Sequence, residues 1–285
     1  MKAFFSVDVE DWFHILDAKS TPSIEEWHQY ESRVERNFYS LLQLFSEKQV
    51  FVTCFFLGWV AEKFPNLVKE ASSLGHEIAS HGYSHILSYR LSENDFFEDV
   101  MKAKSILEDL SGRPVLGYRS PGFSGIKEIP WFFDKLIDAG YVYDSSIFPA
   151  KHGHGGISSS CLAPHLIMRA DNSIIEFPIT VLDIMGYKLC LFGGGYLRLF
   201  PYRMIKWGAK YVIKDNRPVI FYIHPREIDP SHPRLPLNSY RTFKSYVNLK
   251  TTKNKLDKIL DEFQFTTFQR YIKKEQEVND SNIQK

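Results

Sequence analysis

The run VFVTCFF at residues 50–56 decides the fold class. Every residue in it except Thr53 is apolar, and no polar alternation marks a solvent-facing side. A strand of this kind is covered on both faces, the condition of a parallel sheet flanked by helices. Its neighbours agree. Upstream, Val34, Phe38, Leu41, Leu42 and Phe45 recur at a helical period, and downstream residues 61–74 read as a helix closed by Gly75 as a C′ glycine. Strands AFFSVDV (3–9) and HEIAS (76–80) bracket this unit. Ser92 with Asp95 resembles a capping box before a helix at 96–110, which Gly112 and Pro114 terminate.

The alternation continues to the end of the chain. Strand PVLGYRS (114–120), helix 130–139 and strand YVYD (141–144) precede a stretch rich in Gly and Ser. Strand IIEFPI (174–179), helix 202–213, strand VIFYIH (219–224), a helix over about 240–262 and FQFTTF (263–268) follow. Repeated βα units predict an α/β protein with a mostly parallel sheet, open or closed. No glycine-rich phosphate loop follows the first strand, which favours an irregular (β/α) barrel over an open nucleotide-binding sheet.

Composition narrows the function classes. With 285 residues, 44% hydrophobic and 15% aromatic, the chain can bury a large core. The formal net charge of +1 gives no global basic surface for nucleic acid or an anionic membrane. Cys54, Cys161 and Cys190 have no metal or redox spacing, and their odd number suits reduced thiols. No run approaches the roughly 18 apolar residues of a membrane span, and MKAFFSVDVED is too short for a signal h-region. The expectation is a soluble cytoplasmic protein with no membrane span and a polar tail, residues 273–285, that frays.

Polar residues gather where the strands end: Asp8 and Glu10, then His81, Arg119, Asp144 and His224. In a βα barrel that rim carries the active site. SVDVEDWFH (6–14) sets three carboxylates, Asp8, Glu10 and Asp11, within four positions, an expensive arrangement unless a cation or proton offsets it. His81 and His85 in SHGYSH are four apart and on a helical turn would share one face. Two histidines and one carboxylate form a common hydrolytic zinc set. Strand alternation puts Glu10 on the same face as Asp8, so Glu10 is the expected third ligand. Non-haem iron oxygenases use the same set, but on an antiparallel sandwich that this alternation does not suggest. Arg119 in GYRSPGF reads either as a bidentate partner for Asp8 or as a loop arginine. His224 reads as a general acid or a strand-end histidine, and Asp144 as a loop anchor or a supporting group.

In this order the pieces SVDVE, HGYSH, YRSPGF and YIH resemble the motifs of the NodB-type polysaccharide deacetylases, carbohydrate esterases that remove N-acetyl groups from sugars. FGGGYLRLFPY and HPREIDPSHPR are similar to a subgroup associated with exopolysaccharide and surface-glycan gene clusters. The resemblance implies a distorted (β/α) barrel over residues 1–230, with 231–272 as a C-terminal extension packing on it. It also implies a divalent metal at Glu10, His81 and His85, zinc by default, with cobalt, nickel or manganese as alternatives. Asp8 would be the general base oriented by Arg119, and His224 the general acid. A backbone N–H near Phe123 or Ser124 would steady the oxyanion.

The sequence departs from the family pattern in two places. The commonest first motif has adjacent aspartates, so Asp-Val-Glu-Asp leaves Asp11 as the rival of Glu10. The fourth motif has only Asp144 and Trp131 as candidates. Trp12, Tyr83 and Phe123 flank the motifs and are candidate sugar contacts, with core packing the competing reading. The expected activity is therefore metal-dependent removal of N-acetyl groups from amino sugars of a polysaccharide or its precursor. A deacylase of a nucleotide- or lipid-linked sugar, acetyl or formyl, is the first alternative. A non-catalytic glycan-binding relative is the second, and the retention of Asp8, both histidines, Arg119 and His224 argues against it.

Overall fold

The computed structural model describes residues 3–283 apart from 17, 126–128, 152, 155, 159 and 160. Strand β1 (Ala3–Val9) leads to α1 (Val34–Glu47), β2 (Thr53–Phe56), α2 (Gly58–Lys63), α3 (Pro65–Ser73) and β3 (Glu77–Ser80). Then come α4 (Glu93–Ser111), β4 (Gly117–Tyr118), α5 (Phe132–Asp138), β5 (Tyr143–Asp144), β6 (His165–Arg169) and β7 (Asn172–Glu176). The chain continues through β8 (Leu182–Ile184), β9 (Tyr187–Leu189), α6 (Gly194–Leu199), α7 (Tyr202–Lys214) and β10 (Val219–Ile223). It closes with α8 (Ser239–Tyr246), α9 (Leu249–Glu262), β11 (Phe265–Thr266) and α10 (Phe268–Ile283).

The sheet runs β10-β1-β2-β3-β4-β5-β7-β6, parallel throughout except for β6, which returns antiparallel on β7; β11 adds to β1. Between β7 and β10 the ladder gives way to irregular chain. There Thr180 Oγ1 accepts from the Ile220 amide, and the Phe192 carbonyl accepts from the Tyr222 amide. Gly193 bridges to Tyr222, and a Cβ at Gly193 would lie 2.0 Å from that ring. Only glycine lets the chain pass there, and this seam makes the barrel a distorted one.

Alternation along β1 sorts its side chains. Phe5, Val7 and Val9 pack outward into the core shared with the helices, whereas Phe4 faces the barrel interior. By the same period Ser6 and Asp8 face inward above Phe4. The interior floor is a second cluster of Phe4, Phe55, Ala79, Tyr143, Phe177, Ile220, Phe268 and Ile272. Phe268, the first residue of α10, stacks on Phe4 with centroids 4.5 Å apart and closes the barrel from below. Segment 231–272 thus supplies two whole helices, a strand of the main sheet and the first turn of α10. Helix α10 continues into the stretch whose composition suggests fraying.

Several elements differ from the periodicity. The helix expected at 61–74 is two, because Pro65 starts a new one at its first position and cannot continue the old. The helix expected at 240–262 breaks at Asn248, whose φ of 51° is left-handed. Among the described residues no helix is long and apolar enough to cross a membrane.

Candidate active site and metal centre

A cleft of about 420 Å³ opens at the C-terminal ends of the strands. Asp8, Glu10, His14, His81, His85, Phe123, Arg198, Tyr222, His224, Arg226 and Glu227 contribute to its lining. The sequence places these residues far apart; the parallel sheet brings them together because every strand ends at the same rim.

Asp8 is 2% exposed and receives a 2.7 Å bond from Arg119 Nη1. Arg119 is fully buried. Nη1 also donates to Ser6 Oγ, Nη2 to Ser145 Oγ and Nε to the Ser145 carbonyl, while the guanidinium lies 4.1 Å over the Phe55 ring. So fastened, Arg119 offers Asp8 one fixed orientation, holding Oδ1 and leaving Oδ2 toward the cleft.

Glu10 and Asp11, adjacent in sequence, take different roles. Asp11 accepts from the backbone amides of Trp12, Arg33 and Val34 and from Ser32 Oγ, so both its oxygens tie the strand end to the start of α1. Glu10 lies with His81 and His85, all three buried, with one ligand atom from each within 4.8 Å of the others. Glu10 Oε2 is 2.5 Å from His85 Nε2. Burial would raise the Glu10 carboxyl, but His85, His224 and Arg226 outweigh it and hold it well below the usual range. His81 donates from Nδ1 to the Arg119 carbonyl at 2.7 Å, which leaves Nε2 with its lone pair free. Burial lowers its pKa to about 4, so the ring is neutral.

The two histidines do not sit on a helical turn. Gly82 and His85 both have positive φ, 72° and 54°, and the segment is a loop. Asp99 of α4 shapes it by accepting from the Tyr83 and Ser84 amides, and a Cβ at Gly82 would lie 2.8 Å from Asp99 Oδ2. The i, i+4 spacing converges through a loop pinned by a carboxylate. Two imidazoles and a carboxylate, one imidazole with its tautomer set by a carbonyl, fit a divalent cation of the zinc type.

His224 follows β10, with Nε2 3.9 Å from Asp8 Oδ2 and 3.7 Å from Glu10 Oε1. Its Nδ1 is 3.5 Å from Glu227 Oε2, and Glu227 Oε1 is 2.9 Å from Arg198 Nε. Arg198 in turn donates to the Ser245 and Lys244 carbonyls of α8. Burial lifts the Glu227 carboxyl, yet Arg198 and His224 pull it down to about 2. This Arg198–Glu227–His224 chain joins the FGGGYLR and HPREID pieces, which contain Arg198 and Glu227 but gave neither a role by spacing or periodicity.

The remaining candidates are dispersed. Phe123 lines the cleft, edge-on to Tyr222 at 5.0 Å, but its amide donates to the Ser120 carbonyl. Trp12 is buried among Phe13, Tyr30 and His232, with Nε1 on the Glu31 carbonyl. Tyr83 reaches Glu62, with Lys102 over its ring. Asp144 lies fully buried, in register with Glu176 of β7 and bonded to Ser146. Trp131 packs on Phe96. None of these last four lines the cleft. His14, which sequence reasoning passed over, does; its Nδ1 accepts from the Asp11 amide.

Residues 28–132 match the family described as polysaccharide deacetylase, and residues 145–273 match one described only as a domain of unknown function, DUF3473. The chain is 38% identical over 72 residues to a peptidoglycan-N-acetylglucosamine deacetylase of Bacillus cereus, covering 25% of this chain and 26% of that protein. It is 30% identical over 109 residues to a peptidoglycan deacetylase of Helicobacter pylori, covering 38% of this chain and 36% of that protein. The matches therefore span about a quarter to about a third of those relatives' lengths. A solved Mycobacterium smegmatis protein designated a polysaccharide deacetylase superposes with a TM-score of 0.60 at 17% identity, over 93% of this chain and 85% of that one. That likeness is one of fold.

Proposed function

We propose that this chain is a NodB-type polysaccharide deacetylase, a metal-dependent N-deacetylase acting on the acetamide of an amino sugar, in a polysaccharide or its precursor. The observation that carries this reading is the pairing of Asp8 and His224 beside the Glu10, His81 and His85 donors, each held by a buried arginine, directly or through Glu227. A divalent cation on those donors, zinc by default, would supply Lewis-acid polarisation of the amide carbonyl.

The chain's own groups account for the proton movements. Asp8 Oδ2, with Oδ1 held by Arg119, takes a proton from the attacking water as its oxygen bonds to the acyl carbon. His224 delivers a proton from Nε2 to the amide nitrogen as the C–N bond breaks, while Glu227 faces Nδ1 and steadies the imidazolium. Water is consumed, and acetate and a free amine leave.

The test is acetate release from N-acetylated chitooligosaccharides and nucleotide-linked N-acetyl sugars by metal-loaded protein. Asp8→Asn is expected to lose at least about a hundredfold in turnover while still binding metal. Undiminished release by that variant would overturn the assignment. Stoichiometric metal without release from any substrate would point to a glycan precursor outside the panel, whereas protein that neither binds metal nor releases acetate would favour a non-catalytic glycan-binding role.

A further inference from the structure

One wall of the cleft is cationic, running from Arg226 beside the Glu10 carboxylate to α8. Of the lining residues, Asp8, Glu10 and Glu227 are the carboxylates, and each is engaged: by Arg119, by His85 and by Arg198. Against them stand Lys151, Arg226, Arg241 and Lys244, in a chain whose net charge is only +1. Among the described residues no carboxylate lies within ion-pair distance of Arg241 or Lys244. Arg226 is 9% exposed, and its Nε and Nη1 are buried without a hydrogen-bond partner among the described residues. Its nearest carboxylate oxygen, on Glu10, is 3.9 Å away and belongs to a group already facing His85. A buried guanidinium with two idle donors is costly unless something completes it.

The wall is also held in place. Arg241 and Lys244 are three apart on α8 and so share a helix face. Arg241 Nη1 donates to the Leu16 carbonyl at 2.5 Å, joining α8 to the loop after β1. The backbone of Lys244 and Ser245 is clamped by Arg198, the arginine that fixes Glu227. Burial first, and then the neighbouring Arg241, push the Lys244 ammonium below its usual range.

We propose that this wall is a subsite for a phosphoryl group, so that the substrate is an N-acetylated amino sugar carrying a phosphate ester or diphosphate, bound by Arg226, Arg241 and Lys244. This rests on the deacetylase reading of the same cleft. Three cations lining one cleft match a group of charge near −2 with several acceptor oxygens; a single carboxylate would leave the wall electropositive. A neutral polymer could offer Arg226 hydroxyl acceptors but would leave the positive charge of the three side chains unbalanced.

The test compares kcat/KM of metal-loaded enzyme for the methyl glycoside of N-acetylglucosamine, for N-acetylglucosamine 1-phosphate and for a uridine diphosphate-linked N-acetyl sugar. The phosphorylated substrates should be favoured by roughly tenfold or more, and that ratio should fall in Arg241→Gln/Lys244→Gln and at high salt. Because the ratio is taken within one preparation, loss of folded protein does not alter it. Equal values for neutral and phosphorylated sugars, or a ratio untouched by the double substitution, would overturn the subsite and leave the deacetylase reading standing. If no substrate is turned over, the deacetylase reading fails, and calorimetric binding of the same ligands decides the subsite. The diphosphate substrate outperforming the monophosphate points to a nucleotide- or lipid-diphosphate source, and parity points to the phosphoryl group alone.

Discussion

Replacing Glu227 with Gln tests the Arg198–Glu227–His224 chain on stability and turnover at once. Both partners are almost fully buried and their charged atoms are 2.9 Å apart. At an effective dielectric of 20 that separation is a gross attraction of about 6 kcal/mol. Removing one charge strands the other, which in buried pairs costs about 3–5 kcal/mol. Arg198 keeps the Ser245 and Lys244 carbonyls, so the lower end, about 3 kcal/mol, is expected. With an unfolding entropy of about 0.6 kcal/mol/K for 285 residues, Tm should drop by about 5 °C. Arg198→Met alone should cost a similar amount, and the double variant clearly less than the sum. Turnover should behave differently. Glu227→Gln should lower kcat about ten- to a hundredfold with KM little changed, and the double variant should not recover it, because neither variant steadies His224. Thermal denaturation and acetate release, measured on all four proteins, separate the two effects. Additive stability losses would refute the pair, and a kcat that returns with stability would refute its positioning role.

Three other perturbations probe separate parts of the molecule. Zinc or cobalt at a hundredfold excess over its dissociation constant should stabilise the protein by about 2.7 kcal/mol, or about 4–5 °C, and cobalt should bring a visible absorption band. His85→Ala should abolish both effects; an unchanged shift would place the metal elsewhere. Phe268→Ala empties the barrel floor beneath Phe4 and should cost about 3–5 kcal/mol in a denaturant titration, and a loss under about 1 kcal/mol would contradict the packing. Asp144 and Glu176 are both driven up, by burial first and, for Glu176, by Asp144 beside it. The folded state therefore holds a proton that the unfolded chain releases near pH 4, so stability falls as pH rises above that value toward the folded pKa. Glu176→Gln should flatten that fall in Tm measured against pH; parallel curves would refute the shared proton.

The barrel is legible because its signals are local. VFVTCFF announces a doubly covered strand, and the period of AFFSVDV puts Asp8 on the face opposite Val7 and Val9, since a parallel strand cannot change face without a bulge. Boundaries are less legible where one residue overrides a smooth pattern, as Pro65 does. The edge strand β6 reads poorly because it alternates half-buried and exposed residues in a short run. Within the site, Asp8, Glu10, His81, His85, Arg119 and His224 are visible as polar residues at strand ends. Arg198 is not: it lies in a six-residue helix amid glycines, and its meaning depends on meeting Glu227 from another element. His14 is hidden for the same reason, as its place on the cleft follows from a short turn that Asp11 caps.

The two matched families divide the chain between residues 132 and 145, but the cleft does not respect that division. His81, His85 and Arg119 come from the polysaccharide deacetylase stretch, and Asp8 and Glu10 lie ahead of it. Arg198, His224, Glu227, Arg241 and Lys244 all come from the stretch of unknown function. That second half also carries β10 and β11, which flank β1, and Phe268, which floors the barrel. A barrel cut at the division would lose both neighbours of Ala3 and expose Phe4, so the halves cannot fold as separate units without forfeiting the shared core. The stretch of unknown function is thus part of the same barrel: it brings His224, with Glu227 and Arg198, beside Asp8 and Glu10, and it places Arg226, Arg241 and Lys244 along the same cleft.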